Sequence, residues 1–177
     1  MSASASPRAA ESIDALELAD GLILAIRPIE YEDGDRLLAL FCRLSLESRY
    51  ARFLSPKPTL EPRELAYFMD IDHVRHEALA AVDERDGSFV AVARYIERPD
   101  QPGVAEMAIE VADEFQRLGI GTALAARIMR RTGANGLTVL VATTLRENRA
   151  ARALLRRLNF HPTSSSGREI QLELTSQ

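Results

Sequence analysis

The feature that most constrains the fold and function of this chain is a loop between an apolar strand and an amphipathic helix. The loop contains Gly119 and Gly121, and it follows a strand that ends at Val111. Apolar residues then repeat at helical spacing, which predicts a helix over about residues 119–131. The first N–H groups of a helix have no partner inside it, and the helix dipole is positive there. Because the two glycines lack Cβ atoms, an anion such as pyrophosphate can approach this backbone closely.

The order of elements around the loop predicts a mixed sheet. Strands at about 77–82, 88–97 and 104–111 are separated by turn sequences and should form an antiparallel meander. Strand–helix–strand order after residue 111 predicts a locally parallel arrangement. Other strands are predicted over 22–28, 137–143 and 168–174, and helices over 32–43, 46–53, 61–69, 119–131 and 148–158. The expected fold class is α/β (α+β), with about six or seven strands and helices on both faces.

Length and charge limit the classes of function. A chain of 177 residues suits one domain, predicted over residues 21–177. Residues 1–20 are rich in Ala and Ser and predict a disordered tail, with a short helical piece around Ile13–Leu18. The net charge of -4 argues against general binding of nucleic acid or membrane surfaces. Without a secretory signal or an apolar run of ~20 residues, the cytoplasm is the expected location.

The cysteine and histidine residues predict no disulfide and no metal site. Cys42 is the one cysteine, and it lies in an apolar stretch, so a small buried side chain is expected. His73 and His76 are three residues apart, but no third ligand accompanies them and His161 is isolated. A loop that leads into a strand accounts for the His73/His76 pair, and no metal is expected.

Two rival phosphate-binding motifs are not met by the loop. The dinucleotide fingerprint requires a third glycine at the position of Leu124, and the Walker-type loop requires a lysine. The sequence QRLGIG at residues 116–121 instead resembles the Gln/Arg-x-x-Gly-x-Gly/Ala motif of the GNAT superfamily of N-acetyltransferases. Residues 148–160 are similar to that family's Asn-x-x-Ala…Leu-Gly-Phe ending. The resemblance covers about residues 22–174 and implies the GNAT fold, with acetyl-CoA as co-substrate and no metal.

The resemblance implies a set of contacts with acetyl-CoA. Backbone groups of the strand end would pair with the pantetheine arm, and N–H groups of the loop would hold the pyrophosphate. Asn148 would bond to the pantetheine, although its position also suits a helix N-cap. Arg149 and Arg152 lie either near the 3′-phosphate or on a solvated helix face. The implied cofactor-binding residues are Ile109, Val111, Gln116, Arg117, Leu118, Gly119, Ile120, Gly121, Thr122 and Asn148.

Two glutamates are candidates for a general base. A lysine-type amine with a pKa near ~10.4 must lose a proton before it attacks a thioester. Glu106 and Glu110 lie on one face of a strand by its period of two. Residues 105–111 resemble the Ala-Glu-x-Ala-x-x-Val strand of bacterial protein lysine acetyltransferases, and this likeness implies that Glu106 is the base. Glu110 is either part of the site or a solvated carboxylate.

Departures from the family and the nature of the acceptor leave several alternatives open. Leu155 or its neighbour stands where many members place a tyrosine as acid, and a thiolate with a pKa near ~8.5 can leave unaided. Tyr50, Tyr67 and Tyr95 line the acceptor cleft or pack in the core. Regulated members of the subgroup carry a nucleotide-binding module, for which 177 residues leave no room, so nucleotide regulation is not expected.

The expected acceptor is a primary amine. The subgroup resemblance favours a protein lysine. The alternatives are a small-molecule amine and a non-catalytic module that only binds acetyl-CoA. Nucleic acid and membranes are not expected partners, and a homodimer stays open beside a monomer.

Overall fold

A single mixed sheet organises the chain. The computed structural model describes residues 14–175, and within them eight strands pair in the order β1-β2-β3-β4-β5-β6-β8-β7. The strands are β1 (Asp14–Glu17), β2 (Ile23–Pro28), β3 (His76–Asp83), β4 (Phe89–Glu97), β5 (Val104–Val111), β6 (Val139–Leu145), β7 (His161–Ser166) and β8 (Glu169–Thr175). The helices are α1 (Gly34–Arg43), α2 (Leu46–Phe53), α3 (Pro62–Met69), α4 (Ile120–Ala134) and α5 (Arg149–Arg157).

One pair of neighbouring strands in this sheet is parallel. Strands β3, β4 and β5 form the predicted antiparallel meander, and β5 then pairs with β6 in parallel. All other neighbouring strands are antiparallel. The mixed sheet predicted from the sequence is therefore confirmed, and the parallel pair consists of the strands directly before and directly after α4.

Helices cover both faces of the sheet, as predicted. The face under α4 and α5 is filled by a cluster of apolar side chains that includes Leu124, Ile128 and Leu155. A second cluster, with Leu37 and Leu40 of α1, fills the opposite face. Helix α2 lies on this opposite face and contacts both β5 and β6. The two faces of β5 are thus covered by different helices.

Two strands were not predicted, so the expected number of strands was slightly too low. Residues 14–17 form a strand that pairs with β2, where the sequence pattern predicted a short helix. Strand β7 lies at the other edge and is exposed along its whole length. Both strands are held by backbone pairing and not by a buried apolar face, so neither has an apolar alternation to reveal it. Ile13 and the rest of the predicted tail up to residue 13 lie outside the described residues.

The expected burial of Cys42 is wrong. Its thiol is exposed, although the residue follows the buried Phe41. The buried positions of α1 recur every three to four residues, and Cys42 falls between them on the outer side of the last turn. An apolar neighbourhood in the sequence was not enough to place it in the core.

Candidate active site

The loop after β5 makes a tight entry into α4. A short 3₁₀ turn at Asp113–Phe115 follows the strand, and α4 begins at Ile120. Arg117 and Gly119 adopt left-handed backbone conformations with φ of 64° and 85°. Only glycine adopts this conformation at no cost, and such residues turn successive N–H groups towards one concave surface. The structure therefore places the predicted glycine loop at the start of a 15-residue helix.

The N–H groups of this loop are unpaired. Within the described part of the chain, no hydrogen bond uses the backbone N–H of any residue from 117 to 122. The first N–H after them, that of Ala123, donates to the Gly119 carbonyl at 3.0 Å. Residues 116 to 119 are exposed to solvent. A row of free N–H groups at the positive end of a helix dipole is suited to a pyrophosphate.

Glycine is required at the two positions for different structural reasons. A Cβ atom at Gly119 would meet no atom within 4 Å, so this glycine is required by its φ alone. At Gly121 a Cβ atom would lie 3.3 Å from Leu154 Cδ1 and 3.7 Å from Val111 Cγ2. Gly121 is therefore the point where α4 packs closely against both α5 and β5. Close packing of α4 therefore requires Gly121, in addition to the room for a phosphate that the sequence predicted.

Strands β5 and β6 separate beside the loop. Their pairing ends at Glu106 and Val141, although both strands continue. The N–H of Ala112 donates to β4, and backbone groups of alternate residues face opposite edges of a strand. Those of Ile109 and Val111 consequently face the gap. The gap gives β5 a free edge that an extended ligand can join as an added strand.

Asn148 caps α5 at the far side of the gap. Its side-chain oxygen accepts a hydrogen bond from the Ala151 N–H at 3.0 Å, so the N-cap expected from the sequence is confirmed. The side-chain NH₂ group makes no hydrogen bond within the described residues and can donate to a ligand. Arg152 donates to the Arg146 carbonyl at 2.9 Å, whereas Arg149 is exposed.

Glu106 lies where the two strands begin to separate. It is the last residue of β5 that pairs with β6, and its side chain is 52% exposed. The nearest cation is Arg98, whose Nη2 lies 3.9 Å from the Glu106 carboxylate. The side chain is on the face covered by α1, α2 and α3, opposite α4. A base at this position would meet an acceptor that arrives from the α2 side.

Glu110 is not a solvated carboxylate. It is 8% exposed, and its Oε2 lies 3.5 Å from Nε of Arg52 on α2. Arg94 of β4 lies on the same face, and the negative charge of Glu110 favours the protonated form of its guanidinium group. The sequence left this residue open between a solvated and a functional position, and burial beside two arginines removes the solvated alternative.

A hydrogen-bond network missed by the sequence analysis ties the loop to α2. The Asp113 carboxylate accepts from the Ser45 N–H at 2.7 Å and from the Ser48 hydroxyl at 2.7 Å. The Gln116 side-chain amide donates to Ser48 Oγ at 3.1 Å and to the Val111 carbonyl at 3.2 Å. The Gln116 side chain thus connects the loop to the end of β5 and to α2. Because Ser45 is the N-cap of α2, the loop and the helix over the gap are held together.

Of the three candidate tyrosines, Tyr95 lies in the core, whereas Tyr50 and Tyr67 lie on helices outside it. Tyr95 is fully buried, and its hydroxyl donates to the Val74 carbonyl at 2.9 Å. Tyr67 is 55% exposed on α3, and Tyr50 lies on α2 with the Arg168 guanidinium 5.6 Å from its ring centre. Leu155, at the position of the family's tyrosine, is buried in the apolar cluster under α4.

The two histidines that suggested a metal pair turn to different partners. His73 Nδ1 lies 2.9 Å from the buried Glu77 carboxylate, and His76 Nδ1 lies 2.9 Å from the Asp70 carbonyl. Burial, together with the charge of Arg94, holds the pKa of His76 below its usual range. Among residues 14–175, no group of three or more metal-ligating side chains is placed to hold an ion.

Comparison with known families agrees with this geometry. The sequence profile of the acetyltransferase (GNAT) family matches residues 43–160, which include the loop, both strands beside the gap and α5. The chain belongs to this family. It is an acetyl-CoA-dependent acetyltransferase, and acetyl-CoA is its co-substrate.

Two relatives come from bacteria. An acetyltransferase of Pseudomonas aeruginosa is 32% identical over 152 residues, 85% of this chain and 78% of that protein. The acetyltransferase Pat of Mycolicibacterium smegmatis is 30% identical over 134 residues, 75% of this chain. The region matched makes up 40% of the length of that Pat protein.

Solved structures share the fold. The GNAT domain of PAT from S. lividans superposes with a TM-score of 0.85 at 27% identity, covering 93% of this chain and 97% of that chain. A phosphinothricin acetyltransferase from Sinorhizobium meliloti, solved with acetyl-CoA, gives a TM-score of 0.71 at 20% identity, with 86% and 88% coverage. None of the helices within residues 14–175 is long and apolar enough to cross a membrane.

Proposed function

We propose that this acetyltransferase transfers the acetyl group of acetyl-CoA to a protein lysine, with Glu106 as general base. The observation that supports the donor side of the proposal is the row of unpaired N–H groups at residues 117 to 122. The gap between β5 and β6 begins at Glu106, so one strand offers both a free edge for the pantetheine and a carboxylate.

The cofactor contacts follow from this arrangement. The backbone groups of Ile109 and Val111 pair with the pantetheine arm as an added strand. The N–H groups of residues 116–122 hold the pyrophosphate, and that of Gln116 is the weakest donor because it already lies 3.3 Å from the Asp113 carbonyl. The free amide group of Asn148 donates to the pantetheine from the opposite wall of the gap.

The chemistry needs one proton acceptor and a direct attack. Glu106 takes a proton from the ammonium group of the acceptor, and the amine nitrogen then attacks the thioester carbonyl carbon. A C–N bond forms, and the nitrogen, now positively charged, loses a second proton to water. The C–S bond breaks, and the thiolate of CoA leaves with the electron pair and takes up a proton from solvent, so the net reaction releases one proton. The products are an amide and CoA, with the proton of the amine on Glu106 released to solvent.

A protein lysine is preferred over a small amine because of a resemblance in sequence. The strand around Glu106 resembles that of bacterial protein lysine acetyltransferases. Structures of the same fold also include a phosphinothricin acetyltransferase, so the fold alone does not choose the acceptor. The cytoplasmic location and the homodimer stay predictions.

An assay with two classes of acceptor tests this proposal. The protein is mixed with acetyl-CoA and either lysine-containing peptides or a panel of small amines, and thiol release is followed together with acetylation by mass spectrometry. We expect acetylation of lysine side chains. Turnover on small amines alone would replace the lysine proposal, and binding of acetyl-CoA without turnover on any amine would contradict an enzymatic role.

A further inference from the structure

An excess positive charge lies buried on the acceptor side of β5. Three side chains form it: Arg52 of α2, Arg94 of β4 and Glu110 of β5, here called the Arg–Glu cluster. Arg94 is 2% exposed and Glu110 is 8% exposed. Burial lowers the pKa of Arg94 to about 10, so it is still protonated at neutral pH. One carboxylate therefore faces two guanidinium groups.

Several donors of the cluster have no partner. Arg94 Nη1 donates to the Phe68 carbonyl at 2.9 Å, but its Nε and Nη2 are buried without a hydrogen bond. Arg52 Nε is also buried and unpaired, since it lies 3.5 Å from Glu110, beyond good hydrogen-bond geometry. Buried donors are almost always paired in native proteins, so these donors are available to a group that binds there.

The neighbouring residues do not neutralise this charge. His76 lies 3.3 Å from Arg94, with its Nε2 as the acceptor, and its low pKa keeps it neutral. The Phe68 ring is 4.6 Å from the Arg94 guanidinium and 5.8 Å from that of Arg52, so both cations lie against one ring. Cation–π contacts stabilise the arginines but add no negative charge.

The position of the cluster relates it to the proposed base. Arg94 is paired with Ala108, two residues along β5 from Glu106, and Glu110 is four residues along. At ~3.3 Å per residue these positions are roughly 7 and 13 Å from Glu106. All of these side chains lie on the α2 face, from which the acceptor approaches. A group bound at the cluster would therefore belong to the acceptor and not to acetyl-CoA.

We propose that the Arg–Glu cluster is an acceptor subsite for a carboxylate, so that the acetylated amine belongs to a molecule that carries a carboxylate nearby. The inference rests on the proposed lysine acetylation and narrows its substrate class. The carboxylate approaches Arg52, whose side chain is 13% exposed and forms the outer part of the cluster. A carboxylate there supplies the missing negative charge and the missing acceptors. The carboxylate comes from the main chain of a C-terminal or free lysine, or from an acidic residue beside an internal lysine.

Pairs of acceptors that differ only in charge test the subsite. One pair is N-α-acetyl-lysine and its carboxamide, and the second is a blocked peptide with Asp or Asn next to lysine. For each pair we compare kcat/KM with acetyl-CoA saturating. The wild-type protein should prefer the carboxylate member of at least one pair by about tenfold. The pair that shows the preference identifies the source of the carboxylate.

Opposite substitutions separate recognition from structure. In R52Q the carboxylate preference should fall to about twofold or less, and in E110Q it should rise about threefold because a repelling charge is removed. R63Q removes an exposed arginine of α3 outside the cluster and should keep the wild-type preference. A merely structural role for the cluster would make R52Q and E110Q change the preference in the same direction.

A binding measurement decides the inference even without turnover. N-α-acetylnorleucine has the carboxylate but no ε-amine, and its affinity in the presence of CoA is compared with that of its amide by calorimetry. Tighter binding of the acid in the wild type, lost in R52Q, supports the subsite. Equal affinities together with equal kcat/KM values in both acceptor pairs would overturn it, and absence of turnover alone would overturn only the proposed lysine acetylation.

Discussion

Replacement of Glu106 by Gln is expected to lower kcat by about 10²–10⁴-fold at neutral pH. The carboxylate lies where β5 and β6 separate, on the acceptor face and half exposed, and no other described carboxylate on that face of β5 is as open to solvent. Gln keeps the size of the side chain but cannot take a proton from an ammonium group. The measurement is thiol release with a lysine peptide, alongside the affinity for acetyl-CoA, which should stay within about twofold because the residue is outside the cofactor loop.

The pH profile distinguishes a lost base from a disturbed fold. Without a base, only the neutral fraction of the acceptor amine reacts, so the rate of the Gln variant should rise about tenfold per pH unit towards the amine's own pKa near ~10.4. Glu97→Gln is a matched control, because Glu97 is an acid on the neighbouring strand β4 that bonds to the Gly103 N–H. Wild-type activity in E106Q at neutral pH would remove Glu106 from the mechanism.

Replacement of Gly121 by Val is expected to weaken acetyl-CoA binding about a hundredfold. Already a Cβ atom at this position would lie 3.3 Å from Leu154 Cδ1, and the two further carbons of Val need room that β5 and α5 occupy. The start of α4 must shift, which misdirects the N–H groups that follow the loop. Loss of two N–H bonds to a charged phosphate at about 1.5 kcal/mol each corresponds to this factor. Calorimetric titration with acetyl-CoA measures it.

Gly133→Val provides the matched control in the same helix. A Cβ atom at Gly133 would meet no atom within 4 Å, and the residue lies near the other end of α4. This variant should bind acetyl-CoA as the wild type does. The G121V variant should also unfold at a lower temperature, because overpacking costs about 1–3 kcal/mol. Unchanged affinity in a folded G121V variant would show that the start of α4 does not hold the cofactor.

The sequence was most informative where apolar periodicity and turn residues coincide. Strands β3 to β5 were predicted because each is apolar and is separated from the next by a turn sequence, and α2 was predicted at Leu46–Phe53 as the structure has it. The glycine loop was predicted because its composition and its place between strand and helix agree. Strands β1 and β7 were not predicted because strands held by backbone pairing at a sheet edge need no alternation of apolar side chains.

The parts of the candidate site that are local in sequence were predicted, but the contacts between residues distant in sequence were not. Each residue of the loop could be named from the motif, but the separation of β5 from β6 depends on strand pairing that no local pattern records. Asp113 and Ser45 are 68 residues apart, so their contact could not be expected. The position of Arg94 in the sequence could have indicated one of these contacts. An arginine inside a largely apolar strand needs a buried partner, and Glu110 on the neighbouring strand is a carboxylate that can supply it.

Amide resonances of the loop report directly on whether its N–H groups hold acetyl-CoA. Acetyl-CoA is titrated into ¹⁵N-labelled protein, and the N–H signals of residues 117 to 122 are followed with those of Ile109 and Val111. We expect these signals to shift together as the ligand saturates, since these N–H groups are left unpaired by the loop and by the gap. Saturable binding of acetyl-CoA that leaves the signals of residues 117 to 122 in place would show that the loop does not hold the cofactor.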